Sequence, residues 1–319
     1  MLLVALGLAA VSCSHATKPG DGPAAKANVE ATRPAPSIPM PKPDEAKPSD
    51  MDGLHNVVAY GDGILSGSVP EGEGFSTLEK MGIRTIISVD GAAPDVDAAK
   101  AHGMRYVHLP ISYGGIEAER KLEIARAVKD LPHPIYIHCH HGKHRSAAAA
   151  GAAVVTLGYS TPTEAEGRMK VSGTAPNYTG LFACVASATI ATEAQLAAAS
   201  AKFPEVYKTS DFVSTMVEVD EVNDHLKAVE KAGWQAPDDH PDLVPVAEAG
   251  RLADLLRTAH DDDEVKSKDA PFKRMLDESN ALATALEDAL AKGSPAADLG
   301  ARMKKVQQSC KDCHAKYRD

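Results

Sequence analysis

Residues 135–146 read Ile-Tyr-Ile-His-Cys-His-His-Gly-Lys-His-Arg-Ser. The apolar run 135–137 has the length and composition of a short buried strand. It delivers His138 and Cys139 to a loop. Arg145 and Ser146 follow, then the alanines of 147–150, which start a good helix. The order is therefore strand, cysteine, glycine-containing loop, arginine, helix N-terminus. This is a site for an oxyanion. Backbone N–H groups of a loop entering a helix point at an anion, and the helix dipole favours negative charge there. Arg145 adds a planar, two-pronged donor for phosphate. The same field favours the thiolate form of Cys139, which is the nucleophile.

Outward from this stretch, strand and helix signals alternate over residues 54–190. Short strands are predicted at 56–60 and 64–67 around Gly61-Asp62-Gly63, and a helix at 74–81 ends before Gly82. The β-branched run 83–89 reads as a buried strand. A helix follows at 94–102, with Pro94 near its start and Gly103 after its end. Next come a strand at 105–111, a helix at 117–131 and the central strand at 135–139. Helices at 146–157, 163–170 and 178–190 complete the pattern. Such alternation predicts a central sheet flanked by helices on both faces.

His138, Cys139, Arg145 and Ser146, with Gly142 and Lys143 between them, resemble the motif of the protein tyrosine and dual-specificity phosphatases. The resemblance spans residues 53–195 and implies a phosphatase-like α/β domain. It implies Cys139, Arg145 and Ser146 as catalytic residues. His140, His141, Gly142, Lys143, His144 and Arg145 would form the phosphate-binding loop. The imidazoles and Lys143 are expected to raise the local positive potential. In that family a lysine in this loop accompanies highly phosphorylated substrates. The chain departs from the family at one place. Members usually carry a general-acid aspartate on the loop that here reads 112–119, and this loop has none. Glu117 is the nearest carboxyl to supply the proton a leaving oxygen needs, and Asp90 is second. A rhodanese-like sulfur carrier also sets a cysteine between strand and helix, but the His-Cys pair and the Arg-Ser ending suit it less well. Cys184 lies on an apolar helical segment and reads as a small core residue.

From about residue 204 the period becomes helical. Phe212, Met216, Val219, Leu226 and Val229 fall on one face. Leu252, Leu255, Leu256 and Ala259 do the same, as do Phe272, Leu276, Leu286 and Leu290, and then Leu299, Met303 and Val306. These stripes, with Gly/Pro-containing or polar breaks, predict an all-α four-helix bundle over 205–319. Its last helix carries Cys310-Lys311-Asp312-Cys313-His314, the c-type haem attachment pattern. In that pattern two thiols bind the haem vinyl groups and the histidine binds iron. A structural zinc site would need a second ligand pair, and none is evident. Placed on the last helix of a bundle and followed by Lys316-Tyr317-Arg318, the motif resembles the cytochrome c-prime family. The resemblance implies one covalent haem held by Cys310, Cys313 and His314, with the distal residue supplied by the first bundle helix. Met216 is the candidate sixth ligand there. His225 and His260 read as solvated.

Residues 1–16 contain an apolar run, 2–11, too short to span a bilayer and suited to a signal peptide. Ala10-Val11-Ser12-Cys13 resembles a bacterial lipobox, which makes Cys13 the expected lipid anchor and the periplasm the expected location. Residues 17–52 are rich in Pro, Ala and charge, and read as a disordered tether. The 319-residue chain has a net charge of −10, so bulk charge points to no nucleic-acid partner. Its five cysteines form no dense disulfide framework. Three functions compete. One is an exported phosphatase that acts through a thiophosphoryl-cysteine on a phosphorylated protein or small molecule, coupled to a haem domain for sensing or electron transfer. The second is a haem electron carrier or sensor, with a redox partner, whose phosphatase-like half only binds a phosphorylated ligand. The third is sulfur or redox chemistry at Cys139.

Overall fold

The computed structural model describes residues 35–207, 211–238, 240, 241 and 243–317. The signal segment, the lipobox with Cys13, and Arg318 lie outside the described residues. Six strands form one mixed sheet in the order β1-β2-β3-β6-β4-β5. They are β1 (Ser49–Met51), β2 (Leu54–Gly61), β3 (Ile64–Gly67), β4 (Thr85–Ser88), β5 (Arg105–His108) and β6 (Ile135–His138). β6 lies between β3 and β4 and parallel to both, so Ile135 stands opposite Ile64 and Thr85, and His138 opposite Gly67 and Ser88. A strand buried on both faces is apolar throughout rather than alternating. Successive side chains of β6 divide accordingly: Ile135 and Ile137 join one core and Tyr136 the other. β4 divides in the same way through Ile86 and Ile87, and β5 through Tyr106 and Val107.

Helices α1 (Gly74–Lys80) and α2 (Val96–Ala101) cover the Tyr136 face through Phe75, Leu78 and Ala99. The other face is covered by α3 (Ala118–Asp130), α4 (Arg145–Thr156), α5 (Pro162–Val171) and α6 (Thr179–Ala186), with α7 (Glu193–Ala198) beside α3. Every residue of α4 is buried. Its alanines and Gly151 let neighbours approach closely: a Cβ at Gly151 would stand 3.3 Å from Val185. α4 is therefore a rigid post, and its first residue is Arg145.

Beyond α7 the chain forms α8 (Phe212–Lys231), α9 (Pro245–Thr258), the short α10 (Asp263–Ser267), α11 (Ala270–Ala291) and α12 (Ala296–Tyr317). Asp211 and Asp269 cap α8 and α11 by accepting the amides of Ser214 and Phe272. The predicted stripes are buried: Val219, Val222, Leu226 and Val229 face Leu252, Leu256, Leu286, Met303 and Val306 in a shared core. That core is continuous with the core around Ile137 and α4. Among the described residues no helix is long and apolar enough to cross a membrane.

The structure departs from these expectations in several places. The disordered tether does not extend to residue 52. Ser37 and Ile38 amides donate to the Lys80 carbonyl at 2.8 and 3.1 Å, Pro41 is buried, and Ile38 and Met40 pack on the Tyr136-side core. β1 is a strand that Ser-Asp-Met does not announce, because it is held by pairing with β2 rather than by an apolar pattern. The helix predicted at 178–190 stops at Ala186, and Ile190 is 71% exposed. α7 and α10 are short helices without a periodic signal, and neither was expected.

Candidate active site and haem cavity

β6 ends at His138, and the loop from Cys139 to His144 leads directly into α4. Its shape depends on Gly142. This residue has φ +74°, and a Cβ there would fall 2.3 Å from the Ser68 amide nitrogen. The scaffold holds the loop by its carbonyls. His140 O accepts the Val69 amide at 3.1 Å, His141 O the Asn56 side-chain amide at 2.9 Å, and Lys143 O the Thr174 hydroxyl at 2.5 Å. None of the amides from His140 to His144 donates to a backbone carbonyl among the described residues. Carbonyls tied outward and amides left without a protein partner make an anion cradle at a helix N-terminus.

Cys139 is buried at the foot of the cradle, its thiol 3.4 Å from the Ser146 hydroxyl, which in turn donates to Gly67 O at 3.3 Å. His138 is fixed from behind: Nε2 accepts the Tyr106 hydroxyl at 2.6 Å and Nδ1 donates to Cys139 O at 3.3 Å. Arg145 is 1% exposed and lies over the Tyr113 ring, 4.3 Å from its centroid. Its NH2 donates to the Tyr113 hydroxyl and to Asp90 Oδ2, each at 3.2 Å. Its NH1 and NH2 also reach the two carboxylate oxygens of Asp254, on α9, at 2.7 and 3.2 Å. Arg257, one turn further along α9, pairs with both Asp90 and Asp254. Arg145 Nε is buried and has no hydrogen-bond partner among the described residues.

Burial would push the Asp90 carboxyl up, but Arg145, Arg257 and the Ala92 amide hold it well below the usual carboxylate range. Burial would likewise favour a neutral Arg145, and Asp254, Tyr113 and Asp90 hold it firmly charged. The loop histidines behave differently from expectation. Burial pushes His138 down to about 4; burial and Arg257 bring His140 to about 4; burial, His141 and Arg145 bring His144 to about 3. These imidazoles are neutral at pH 7. The positive potential comes from Lys143, Arg145 and Arg257, not from the histidines.

The two candidate acids sit in opposite settings. Glu117 is exposed, immediately before α3, and makes no capping bond there. Asp90 is ionised and engaged by two arginines. Tyr113, on the same loop as Glu117, lies against Arg145 instead of solvent. Cys184 is half-buried on α6, and its sulfur accepts the Ile116 amide at 2.9 Å, so it fastens that loop. Tyr113, Tyr178, Asp254, Arg257 and Glu287 surround the site without having been singled out in the sequence. Asp254 and Arg257 sit three residues apart, outside the apolar stripe of α9. Read alone, they are an ordinary solvated pair.

Glu287, on α11, is buried and its Oε1 lies 2.7 Å from the Tyr178 hydroxyl. Burial pushes it up to about 7; Tyr178 and Arg145 oppose this, and Asp254 and Asp288 add to it. Between its ordinary value of 4.5 and about 7 the folded protein keeps a proton that the unfolded chain releases. Stability is therefore lost as pH rises through that window. Glu287→Gln is expected to raise Tm at pH 8 and to change it little at pH 5. The ceiling is roughly 3 kcal/mol. Thermal melts at the two pH values check this.

In the bundle, α8, α9, α10, α11 and α12 line a half-open cavity of about 970 Å³. Cofactor pockets run to about 1,000 Å³ and are mostly apolar. Met216, Phe272, Leu276, Cys310, Cys313 and His314 all line this one. The two cysteines are free thiols one helical turn apart. Burial pushes both thiols up. An apolar hollow of this size, with paired thiols, an imidazole and a thioether on its wall, fits a haem. His225 and His260 do not line it; His225 is paired with Glu248 at 2.8 Å.

The cytochrome C′ family model matches residues 257–318. No curated protein sequence matches the chain. Among solved structures, TpbA from P. aeruginosa is similar at 16% identity and a TM-score of 0.38, over 45% of this chain and 91% of that one. The core catalytic domain of the PP-IP phosphatase SIW14 from S. cerevisiae is similar at 19% identity and a TM-score of 0.32, over 47% of this chain and 83% of that one. The α/β half carries a cysteine–arginine oxyanion loop, and residues 257–318 of the helical half match the cytochrome C′ model. At these identities, the chemistry of the site rests on its own residues.

Proposed function

We propose that the protein is an exported, cysteine-dependent phosphomonoester phosphatase joined to a haem-binding bundle. One observation carries this reading. Beside the Cys139 thiol stand loop amides with no backbone partner and a buried Arg145 Nε with none. Buried donors are almost always satisfied, so donors left open around a nucleophile call for an anionic ligand. The loop amides and Arg145 hold the three non-bridging phosphate oxygens. The Cys139 thiolate attacks phosphorus, the bond to the leaving oxygen breaks, and a thiophosphoryl-cysteine forms. The leaving oxygen takes a proton from water, leaving hydroxide to the solvent. Water then attacks phosphorus, releasing phosphate and restoring the thiolate, which the adjacent Ser146 hydroxyl stabilises.

In the bundle, Cys310, Cys313, His314 and Met216 would hold one haem, the cysteines through covalent bonds and the histidine and methionine at its iron. Bound there, the haem supplies electron transfer or recognition of a small gas. The lipobox and covalent haem attachment support a periplasmic protein anchored at Cys13. Protein made with haem-attachment machinery is expected to keep its haem through acid–acetone extraction. Cys310→Ala with Cys313→Ala should release it. A five-coordinate iron in the wild type would remove Met216 from the ligand set.

A second reading is favoured by the exposed position of Glu117. Without an acid at the leaving oxygen, the α/β half of a haem sensor binds a phosphorylated ligand and turns it over poorly. Kinetics of the holoprotein on aryl and alkyl phosphates separate the two readings. Hydrolysis of both supports the phosphatase. Tight binding of phosphate esters without turnover of either supports the sensor.

A further inference from the structure

The phosphate-recognising arginine already holds an anion, and that anion comes from the bundle. Asp254 is on α9, more than a hundred residues from Arg145, yet its two carboxylate oxygens face NH1 and NH2 of the guanidinium at 2.7 and 3.2 Å. This is the paired geometry by which a guanidinium binds carboxylate or phosphate. The charges around the loop are balanced. Asp90 and Asp254 oppose Arg145 and Arg257, and each arginine pairs with both aspartates. A phosphate dianion entering this cluster meets two carboxylates rather than a free cation. With Asp254 withdrawn, the cluster carries one net positive charge.

α9 is also firmly seated. A Cβ at Gly91 would stand 2.9 Å from Asp254 Oδ2 and 3.1 Å from Thr258 Cγ2, so the helix lies tight on the loop after β4. The Ala93 amide donates to Asp261 at 2.7 Å, just beyond the end of α9. Beneath this contact Cys139 is 3% and Arg145 1% exposed. The same helix contributes Leu256 to the wall of the large bundle cavity. One rigid element therefore touches both sites.

From this geometry we infer that α9 is an autoinhibitory latch. Asp254 occupies the phosphate-binding fork of Arg145 as an internal competitor, and substrate binds when α9 is displaced from the loop. The inference rests on reading the Cys139–Arg145 loop as an oxyanion site. Gly250, on the same helix, lets α9 lie against Glu287 and Tyr113. The latch is thus packed as well as charged.

The test measures tungstate binding by calorimetry, and the kinetics of an aryl phosphate, on haem-loaded wild type, Asp254→Ala and Asp254→Asn. The asparagine variant keeps the volume of the side chain and removes its charge. Both variants are expected to bind tungstate at least tenfold more tightly and to show a correspondingly lower KM. Alkylation of Cys139 by iodoacetate, followed by peptide mapping, should be faster in the variants and blocked by tungstate. Unchanged or weaker tungstate binding in both variants would overturn the latch. So would a lower kcat with KM unchanged, since Asp254 would then position Arg145 rather than occlude it. The outcomes separate the two ideas. Tighter tungstate binding with no turnover in any protein keeps the latch and removes the phosphatase reading. Wild-type turnover that neither variant alters keeps the phosphatase and removes the latch.

Discussion

Cys139→Ser is expected to abolish hydrolysis of an aryl phosphate while tungstate still binds. The substitution exchanges a sulfur nucleophile for a hydroxyl, which is a far weaker one. Losing a covalent nucleophile typically costs a factor of roughly 10⁴ or more in kcat. The binding groups are untouched. Arg145 and the loop amides are placed by α4, by Gly142 and by the carbonyl bonds to Val69, Asn56 and Thr174, none of which involves the thiol. Serine also fits the space, since the neighbouring group is the small Ser146 hydroxyl. Steady-state rates and calorimetric tungstate titrations of the two proteins check the prediction.

Arg145→Lys carries the second large effect. Lysine keeps the charge and loses the planar fork. In this site the fork has partners on several sides at once: Asp90, Asp254 and the Tyr113 hydroxyl, with the Tyr113 ring against its face. An ammonium is a point charge and cannot reproduce that set while presenting two donors to phosphate. Rates should fall about a hundredfold to a thousandfold, as when a preorganised donor to a reacting anion is removed. Tungstate binding should weaken as well, unlike in Cys139→Ser. Asp90 and Asp254 would lose bonds in a buried setting, so a stability loss of roughly 1–3 kcal/mol is expected. Unaltered kcat/KM in Arg145→Lys would mean that the guanidinium serves the α9 contact and not phosphate.

The central strand and its loop were legible because local chemistry decides them. An apolar run too short for a helix, a glycine, then an alanine-rich segment leave few alternatives for residues 135–150. The bundle was legible because four stripes of Leu, Val and Met repeat at the helical period and end in the Cys310–His314 motif. What could not be read depends on contacts between distant segments. Asp254 and Arg257 look like a solvated pair until α9 is laid across the loop after β4. The loop histidines look cationic until burial beside Arg145 and Arg257 leaves them neutral. β1 has no apolar pattern, because it gains its place from backbone pairing with β2. Glu117 is near in sequence to the expected aspartate, but just before α3 its side chain is exposed. Tyr113, from the same loop, lies against the arginine.

Neutral loop histidines also bear on acid stability. Their folded values, near 4 for His138 and His140, lie below the ordinary 6.5. The unfolded chain binds protons that the fold refuses, so their contribution is complete above about pH 6.5 and is lost as pH falls toward 4. This trend runs opposite to that of Glu287. The Glu287→Gln melts should therefore be read as differences from wild type at each pH.

The covalent mechanism at Cys139 is the claim on which the enzymatic reading stands. Holoprotein turning over an aryl phosphate can be quenched in denaturant at neutral pH within milliseconds, digested, and the peptide containing Cys139 weighed. The account predicts one added phosphoryl group on Cys139 during turnover, absent before substrate is added and absent from Cys139→Ser. Turnover with no adduct, or with the phosphoryl group on another residue, would contradict it.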